Sequence, residues 1–72
     1  MPYDYAKLRK RIATVCGTQE EFARLVGISE RSISLKMTGK RQFKQQDITA
    51  AIEALGLSRK DIPDYFFKED KQ

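Results

Sequence analysis

Apolar residues recur three and four positions apart along most of the chain, and no segment alternates apolar and polar residues as a half-buried β-strand does. This spacing places side chains on one face of an α-helix. The repeat is clearest at Ile48, Ala51, Ile52 and Leu55, after which Gly56 supplies a stop. The pattern predicts an all-α fold, a compact domain of four to five short helices.

Capping residues and glycines predict where the two central helices begin and end. Thr18 opens the sequence Thr-Gln-Glu-Glu, the pattern of a reciprocal capping box. Gly27 then stops this helix, and Ser29 is a favourable N-cap for the next one. We therefore expect a second helix over about residues 19–26 and a third helix over about residues 30–37.

The same signals place a first helix and a short last helix within one domain that spans residues 1–72. Asp4 is expected to cap the first helix, and Gly17 is expected to end it. A second capping-box-like pattern begins at Ser58, but Pro63 leaves room for only about one helical turn. Residues 68–72 are expected to form a frayed tail.

The inward-facing apolar side chains are expected to form one core. Its expected members on the central helices are Phe22, Leu25, Ile33, Ile48, Ile52 and Leu55. Cys16 is expected to behave as a small buried apolar residue. Lys36 falls on the inner side of the third helix, so we expect its ammonium group to extend to solvent while Met37 seals the helix to the core.

The composition disfavours catalysis and metal binding. The chain has 72 residues, the size of one small domain, and contains no histidine. Histidine is the usual general base near neutral pH, the partner of serine and cysteine nucleophiles, and the commonest metal ligand. We therefore expect no enzymatic activity, no catalytic residue, no metal, no cofactor and no small-molecule ligand.

Neither a membrane segment nor a secretion signal is expected. No apolar stretch approaches the roughly 20 residues that a membrane helix needs. Four cations that we expect to be solvated also interrupt the apolar run that a signal peptide requires: Lys7, Arg9, Lys10 and Arg11. Because a single cysteine cannot form an internal disulfide, the cytoplasm is the expected compartment.

Positive charge is concentrated beside the third predicted helix. The formal net charge is +4, from 14 Lys and Arg against 10 Asp and Glu. Between Arg31 and Lys44 there are five basic residues and no acidic one. A local basic surplus of this kind favours contact with nucleic-acid phosphates.

Two short helices joined by a tight turn form the pattern of a helix-turn-helix. Gly27–Ser29 supplies the turn, the small Ala23 lets the helices cross closely, and Ile33 fills the space between them. With Gln19 at the first motif position, residues 18–40 resemble the Cro/repressor-type (XRE) helix-turn-helix family of bacterial and phage transcription regulators.

The resemblance extends over nearly the whole chain. The segments Lys36–Lys40 and Asp64–Phe67, with Phe43 and Ile48, look like small regulators of temperate phages of Gram-positive bacteria. These regulators include Cro-like repressors and short modulator-of-repression (MOR-like) antirepressors. The resemblance implies a lambda-repressor-like domain that acts in a phage genetic switch, in the cytoplasm of the bacterial host.

The resemblance also implies specific contacts, because the third helix of this family enters the major groove of operator DNA. Helical rotation leaves four residues on the side of this helix opposite Ile33 and Met37: Arg31, Ser34, Leu35 and Thr38. The residues implied for base readout are Glu30, Arg31, Ser34 and Leu35. The residues implied for phosphate contact are Gln19, Thr38, Lys40, Arg41 and Lys44.

An alternative function remains open for the same surface. A branched aliphatic side chain such as Leu35 suits a protein pocket as well as it suits a thymine methyl group. An antirepressor would use Arg31, Ser34, Leu35 and Thr38 to bind the phage repressor protein and block its DNA-binding helix. Also open are a homodimer on DNA and the role of Tyr65–Phe67, which either covers the core or pairs two subunits.

Overall fold

The computed structural model describes residues 3–69, which form five α-helices. The helices are α1 (Ala6–Val15), α2 (Gln19–Val26), α3 (Glu30–Met37), α4 (Gln45–Leu55) and α5 (Ile62–Phe66), with one 3₁₀ turn at Arg59–Asp61. The only β-type pairing in the described range is a single antiparallel bridge between Tyr3 and Glu69. The fold is therefore all-α, as the apolar spacing predicts.

α2 and α3 begin at side-chain caps and are separated by a left-handed glycine. The Thr18 hydroxyl accepts a hydrogen bond from the Glu21 amide, and the Ser29 hydroxyl accepts one from the Ser32 amide, both at 3.1 Å. Gly27 has φ +89°, a conformation that is strained for any residue with a Cβ. These local features give α2 and α3 the bounds expected from the capping signals.

Glu21 does not complete the reciprocal capping box that the sequence suggests. Its carboxylate pairs with the guanidinium of Arg24, almost one turn along α2, and not with the backbone amide of Thr18. A guanidinium is a charged donor with several N–H groups and competes well against a single neutral amide. The hydrogen bond from Arg24 also lowers the pKa of Glu21. Side-chain capping of α2 therefore comes from Thr18 alone.

The two ends of the described chain meet beside α1. Asp4 Oδ1 accepts a hydrogen bond from the Ala6 amide at 2.9 Å, but the N-cap of α1 is Tyr5, one residue later than predicted. The Asp4 amide donates to the Lys68 carbonyl at 2.7 Å, and Tyr3 and Glu69 form the bridge next to it. Lys68 and Glu69, the first two residues of the predicted frayed tail, thus pair with the N-terminal segment. Residues 70–72 of the predicted tail lie outside the described residues.

The core lies where the helices converge, with α2 packed most extensively against α4 and α3. The largest fully buried side chains are Phe22, Phe66, Leu8, Ile33, Met37 and Leu55. Phe66 thus covers the core, whereas its neighbour Phe67 is 47% exposed. The aromatic tail therefore has one residue inside the fold and one residue open to a partner.

Two predictions about the core are wrong. Leu25 is 46% exposed, because α2 turns Ala23 inward and a residue two positions later is rotated by about 200°. Cys16 is half-buried rather than enclosed, since it lies just beyond the last residue of α1. Partial burial raises the pKa of the Cys16 thiol, and the nearby Glu21 carboxylate raises it further.

Candidate interaction surface

α3 turns one side to the interior and the other side to the outside of the fold. Its buried residues are Ile33, Lys36 and Met37. Its outer residues are the four expected from helical rotation: Arg31, Ser34, Leu35 and Thr38. All of the outer residues are exposed except Leu35, which is half-buried. The outer side of α3 is therefore not sealed by the rest of the described chain.

The start of the loop after α3 folds back onto the last turn of the helix. The Leu35 carbonyl accepts hydrogen bonds from the Lys40 amide at 3.0 Å and from the Arg41 amide at 3.2 Å. The Thr38 hydroxyl donates to the same carbonyl at 3.1 Å. The Thr38 proton is thus committed to the end of α3, and its hydroxyl retains only acceptor capacity toward a partner. This bond disfavours Thr38 as a donor to phosphate.

Four exposed cations, which we call the basic quartet, lie on α3 and on the following loop: Arg31, Lys40, Arg41 and Lys44. The ion pairs within residues 3–69 are Lys7–Asp64, Arg24–Glu21 and Lys36–Asp47. None of these pairs includes a member of the quartet. Four of the five cations predicted beside α3 are therefore exposed and outside these ion pairs within the described part of the chain, whereas Lys36 is paired.

The two remaining predicted contact residues are the first residues of α2 and α3. Gln19, the first residue of α2, is half-buried, and Glu30, the first residue of α3, is exposed. A carboxylate in the first turn of a helix is stabilised by the positive end of the helix dipole. This stabilisation gives Glu30 a structural role that needs no partner.

Lys36 does not extend to solvent, so the expectation that its ammonium group does is wrong. The side chain is buried, and its Nζ donates to Asp47 Oδ2 at 2.5 Å inside the fold. The same carboxylate oxygen accepts a hydrogen bond from the Lys44 amide at 2.9 Å. Asp47 therefore ties the last turn of α3 and the end of the loop to the first turn of α4. The sequence signal for this pair is an acidic residue directly before the apolar stripe of α4.

Asp47 is held in its charged form despite burial. Burial by itself raises the pKa of a carboxyl group, but the hydrogen bonds from Lys36 and from the Lys44 amide outweigh it. The pKa of Asp47 is consequently lower than usual. The loop that carries most of the basic quartet is thus anchored by an ionised carboxylate.

Two arginines of α1 bind the C-terminal ends of other helices, so the prediction that both are merely solvated is wrong. Arg9 Nη2 donates to the Met37 carbonyl at 3.2 Å. Arg11 donates to the Leu55 carbonyl from Nε at 3.1 Å and from Nη2 at 2.8 Å. Cations near the C-terminus of a helix stabilise its unpaired carbonyls. α3 is therefore fixed at its last turn by Arg9 from α1 and by Asp47 from α4.

Residues 3–69 contain no group of three Asp, Glu or Cys side chains placed to hold a metal ion. No helix in this range has both the length and the apolar character needed to cross a membrane.

A solved structure is similar to this chain over most of its length. The solution structure of the modulator of repression (MOR) of the temperate bacteriophage TP901-1 from Lactococcus lactis matches with a TM-score of 0.81 and 46% sequence identity. The match covers 93% of this chain and 90% of that chain. No curated protein matches the sequence. The family model described as "Protein of unknown function (DUF739)" matches residues 1–69. The chain therefore belongs to the DUF739 family and is similar over nearly its whole length to a phage modulator of repression.

Proposed function

We propose that this protein is a phage antirepressor, which binds a repressor protein in the host cytoplasm and keeps that repressor from its operator. The observation that carries the proposal is the 46% identity to a modulator of repression across 93% of the chain. At this identity and coverage the fold is expected to correspond. The activity is regulatory binding and requires no catalytic group.

The proposed contact surface is the outer side of α3. Arg31, Ser34 and Thr38 are exposed there, and Leu35 is half-buried among them. Protein interfaces combine an apolar centre with a polar rim, and arginine is enriched in them. Leu35 surrounded by polar neighbours fits that composition.

The charge of this surface restricts how the repressor is bound. Like charges placed opposite each other weaken binding, and a repressor needs cations wherever it contacts DNA phosphates. The basic quartet is therefore expected to face acidic groups of the repressor. The rest of the antirepressor then covers the repressor's DNA-binding helix, which lies beside those acidic groups.

A second candidate function is direct operator binding as a Cro-like helix-turn-helix repressor, as a monomer or as a homodimer. The observation that favours it is the un-neutralised basic quartet, since cations supply most of the affinity for DNA. Base readout would then use Glu30, Arg31, Ser34 and Leu35. Phosphate contact would use Gln19, Thr38, Lys40, Arg41 and Lys44.

One pair of measurements separates the two functions. The purified protein and a purified phage repressor, both treated with nuclease, are mixed, and binding is measured by calorimetry. In parallel, the protein alone is titrated with the operator fragment between 50 and 200 mM salt, the range over which phosphate contacts lose affinity steeply.

We expect binding to the repressor without DNA, and release of the repressor from its operator as the protein is added. Sequence-specific operator binding by the protein alone, with no repressor binding, would show that the antirepressor function is wrong and that the Cro-like function is correct.

A further inference from the structure

Aromatic residues from both ends of the chain enclose a small cavity beside the loop after α3. The cavity has a volume of about 140 Å³, and its walls include Tyr3, Tyr5, Phe43 and Phe67. Gly39, Arg41 and Gln42 complete the lining. An apolar cavity of about 150 Å³ holds a group the size of benzene. This cavity has a similar volume but is partly open and is lined by polar as well as apolar groups, so it has room for one large side chain.

The walls of this cavity are preformed. The Tyr5 and Phe43 rings pack edge to face with centroids 5.5 Å apart, and Phe43 packs in the same way on the buried Phe66 at 5.1 Å. Tyr3 and Phe67 form another edge-to-face pair at 5.5 Å. Rings fixed in this way lose little further conformational freedom when a ligand binds, which favours affinity.

The outer wall of the cavity is open to a partner. Phe67 is 47% exposed, the largest exposed fraction among the big apolar residues of the described chain. Half-exposed aromatic residues beside an arginine are typical of the residues that dominate binding energy in protein interfaces. Phe67 and Arg41 both line this cavity, and both are exposed.

The charge around the cavity is positive. Its walls contain Arg41 and no acidic residue, and the exposed Lys40 and Lys44 lie close to Arg41 in the chain. A neighbouring hollow that also includes Tyr3 and Phe67 is lined by charges of both signs: Asp4, Asp64 and Glu69 with Lys7 and Lys68. An apolar group that enters from the loop side is therefore favoured when it is flanked by negative charge.

We propose that this cavity is an anchor pocket for one aromatic or branched aliphatic side chain from an acidic segment of the repressor. The proposal rests on the antirepressor function and names the chemistry of the repressor segment that is bound. Arg41 pairs with a carboxylate next to the inserted side chain, and Phe67 closes over that side chain.

The size of a stable interface supports a footprint that extends from α3 to this pocket. A standard protein interface covers about 800 Å² on each partner, and the accessible surface of the chain is 4995 Å². The four outer residues of α3 are too few to supply such an area. The pocket is the natural extension, because the Arg41 amide is bonded to the Leu35 carbonyl at the end of α3.

A nucleotide base is a less suitable occupant than a side chain. Single-stranded nucleic acids bind by stacking their bases on open aromatic faces. Here the rings pack against one another edge to face, at interplanar angles of 73° to 86°. The pocket offers a narrow space between rings rather than an open stacking face.

The test compares pocket variants with matched controls for binding to the repressor. The pocket variants are Phe67→Ala and Arg41→Ala. The controls are Val15→Ala, which removes an apolar side chain that is 45% exposed, and Lys10→Ala, which removes an exposed cation. Circular dichroism and thermal unfolding verify that each variant is folded.

We expect each pocket variant to weaken repressor binding by about tenfold or more, as for residues at the centre of an interface. The controls should change it by less than about twofold. Amide NMR signals of Gly39 and Gln42 should shift when the repressor is added to the wild-type protein. These shifts give a readout that does not depend on any variant.

The possible failures are distinguishable. If the wild-type protein binds the repressor but the pocket variants bind equally well and the Gly39 and Gln42 signals do not move, the pocket is not used. If the wild-type protein does not bind the repressor at all, the antirepressor function itself is wrong. If an oligo(dT) strand binds and Phe67→Ala abolishes that binding, the occupant is a base and the proposed side-chain anchor is wrong.

Discussion

Lys36 Nζ lies 2.5 Å from Asp47 Oδ2 in the interior of the fold, and both residues are more than nine-tenths buried. The pair joins α3, which carries the proposed contact surface, to the first turn of α4. Transfer of a charge from water into a protein interior is costly unless a partner compensates it. Each buried charge of this pair therefore compensates the other, and either charge left alone would destabilise the fold.

Removal of one member of the pair is expected to destabilise the fold strongly. Asp47→Ala leaves the Lys36 ammonium buried without a counter-ion, and such changes cost about 3–5 kcal/mol. Urea unfolding followed by circular dichroism measures the loss. The matched control is Asp64→Ala, which breaks the exposed 3.8 Å pair with Lys7 and should cost no more than about 1 kcal/mol.

The double variant Lys36→Met with Asp47→Leu is expected to be about as stable as the wild type or more stable. Both charges and their desolvation costs are removed together, and apolar side chains of similar size fill the space. A double variant as unstable as Asp47→Ala alone would show that the hydrogen bond to the Lys44 amide, and not the ion pair, carries the stabilisation.

The stability of the fold is expected to fall in acid because of Asp47. The folded-state pKa of this carboxyl is lower than usual, so its contribution is fully present above the unfolded pKa of about 3.9. The contribution is lost as the pH falls from there through the lower folded-state pKa. The free energy of unfolding of the wild type and of the double variant, measured from pH 7 to pH 2.5, checks this. The double variant should lose less stability over that range.

Gly27→Ala is expected to destabilise the protein by about 1–2 kcal/mol, because an L-residue with a side chain is strained at φ +89°. Apart from the two adjacent residues, no part of the described chain lies within 4 Å of the position of an added Cβ, so the cost is conformational and not a clash. Gly27→Asn should cost less, since asparagine tolerates the left-handed region better. Thermal unfolding of the two variants compares the costs, and equal losses would indicate a different cause.

Variants of the outer side of α3 test the proposed contact surface directly. Arg31→Ala is expected to lower the affinity for the repressor by about 1–3 kcal/mol, the range for residues near the centre of an interface. Calorimetric titration measures the change, with the exposed Lys60→Ala as the control. If Arg31→Ala binds the repressor with wild-type affinity, the contact surface does not lie on the outer side of α3.

If the protein instead binds operator DNA, Arg31→Ala and Lys40→Ala are expected to affect DNA binding in different ways. Arg31→Ala should relax the preference for one base pair, whereas Lys40→Ala should weaken binding to all sequences alike and reduce the salt dependence. Operator titrations with single base-pair changes at two salt concentrations distinguish these patterns.

The candidate surface on α3 follows from the sequence because it depends on one helix. The rotation of about 100° per residue that turns Ile33 and Met37 inward also turns Arg31 and Ser34 outward. The same rotation, applied to α2 without knowledge of its neighbours, gives the wrong environment for Leu25. A helix has several partly apolar sides, and only the packing of α2 on α4 and α3 selects the buried one.

By itself the sequence determined the positions of α2 and α3, because hydroxyl caps at Thr18 and Ser29 and a left-handed Gly27 act over a few residues. The tertiary structure decided which charges are internal and where the aromatic cavity forms. Arg9 reaches a carbonyl 28 positions away, and Arg11 reaches one 44 positions away. Such contacts depend on how separate helices pack, and local spacing along the chain carries no signal for them.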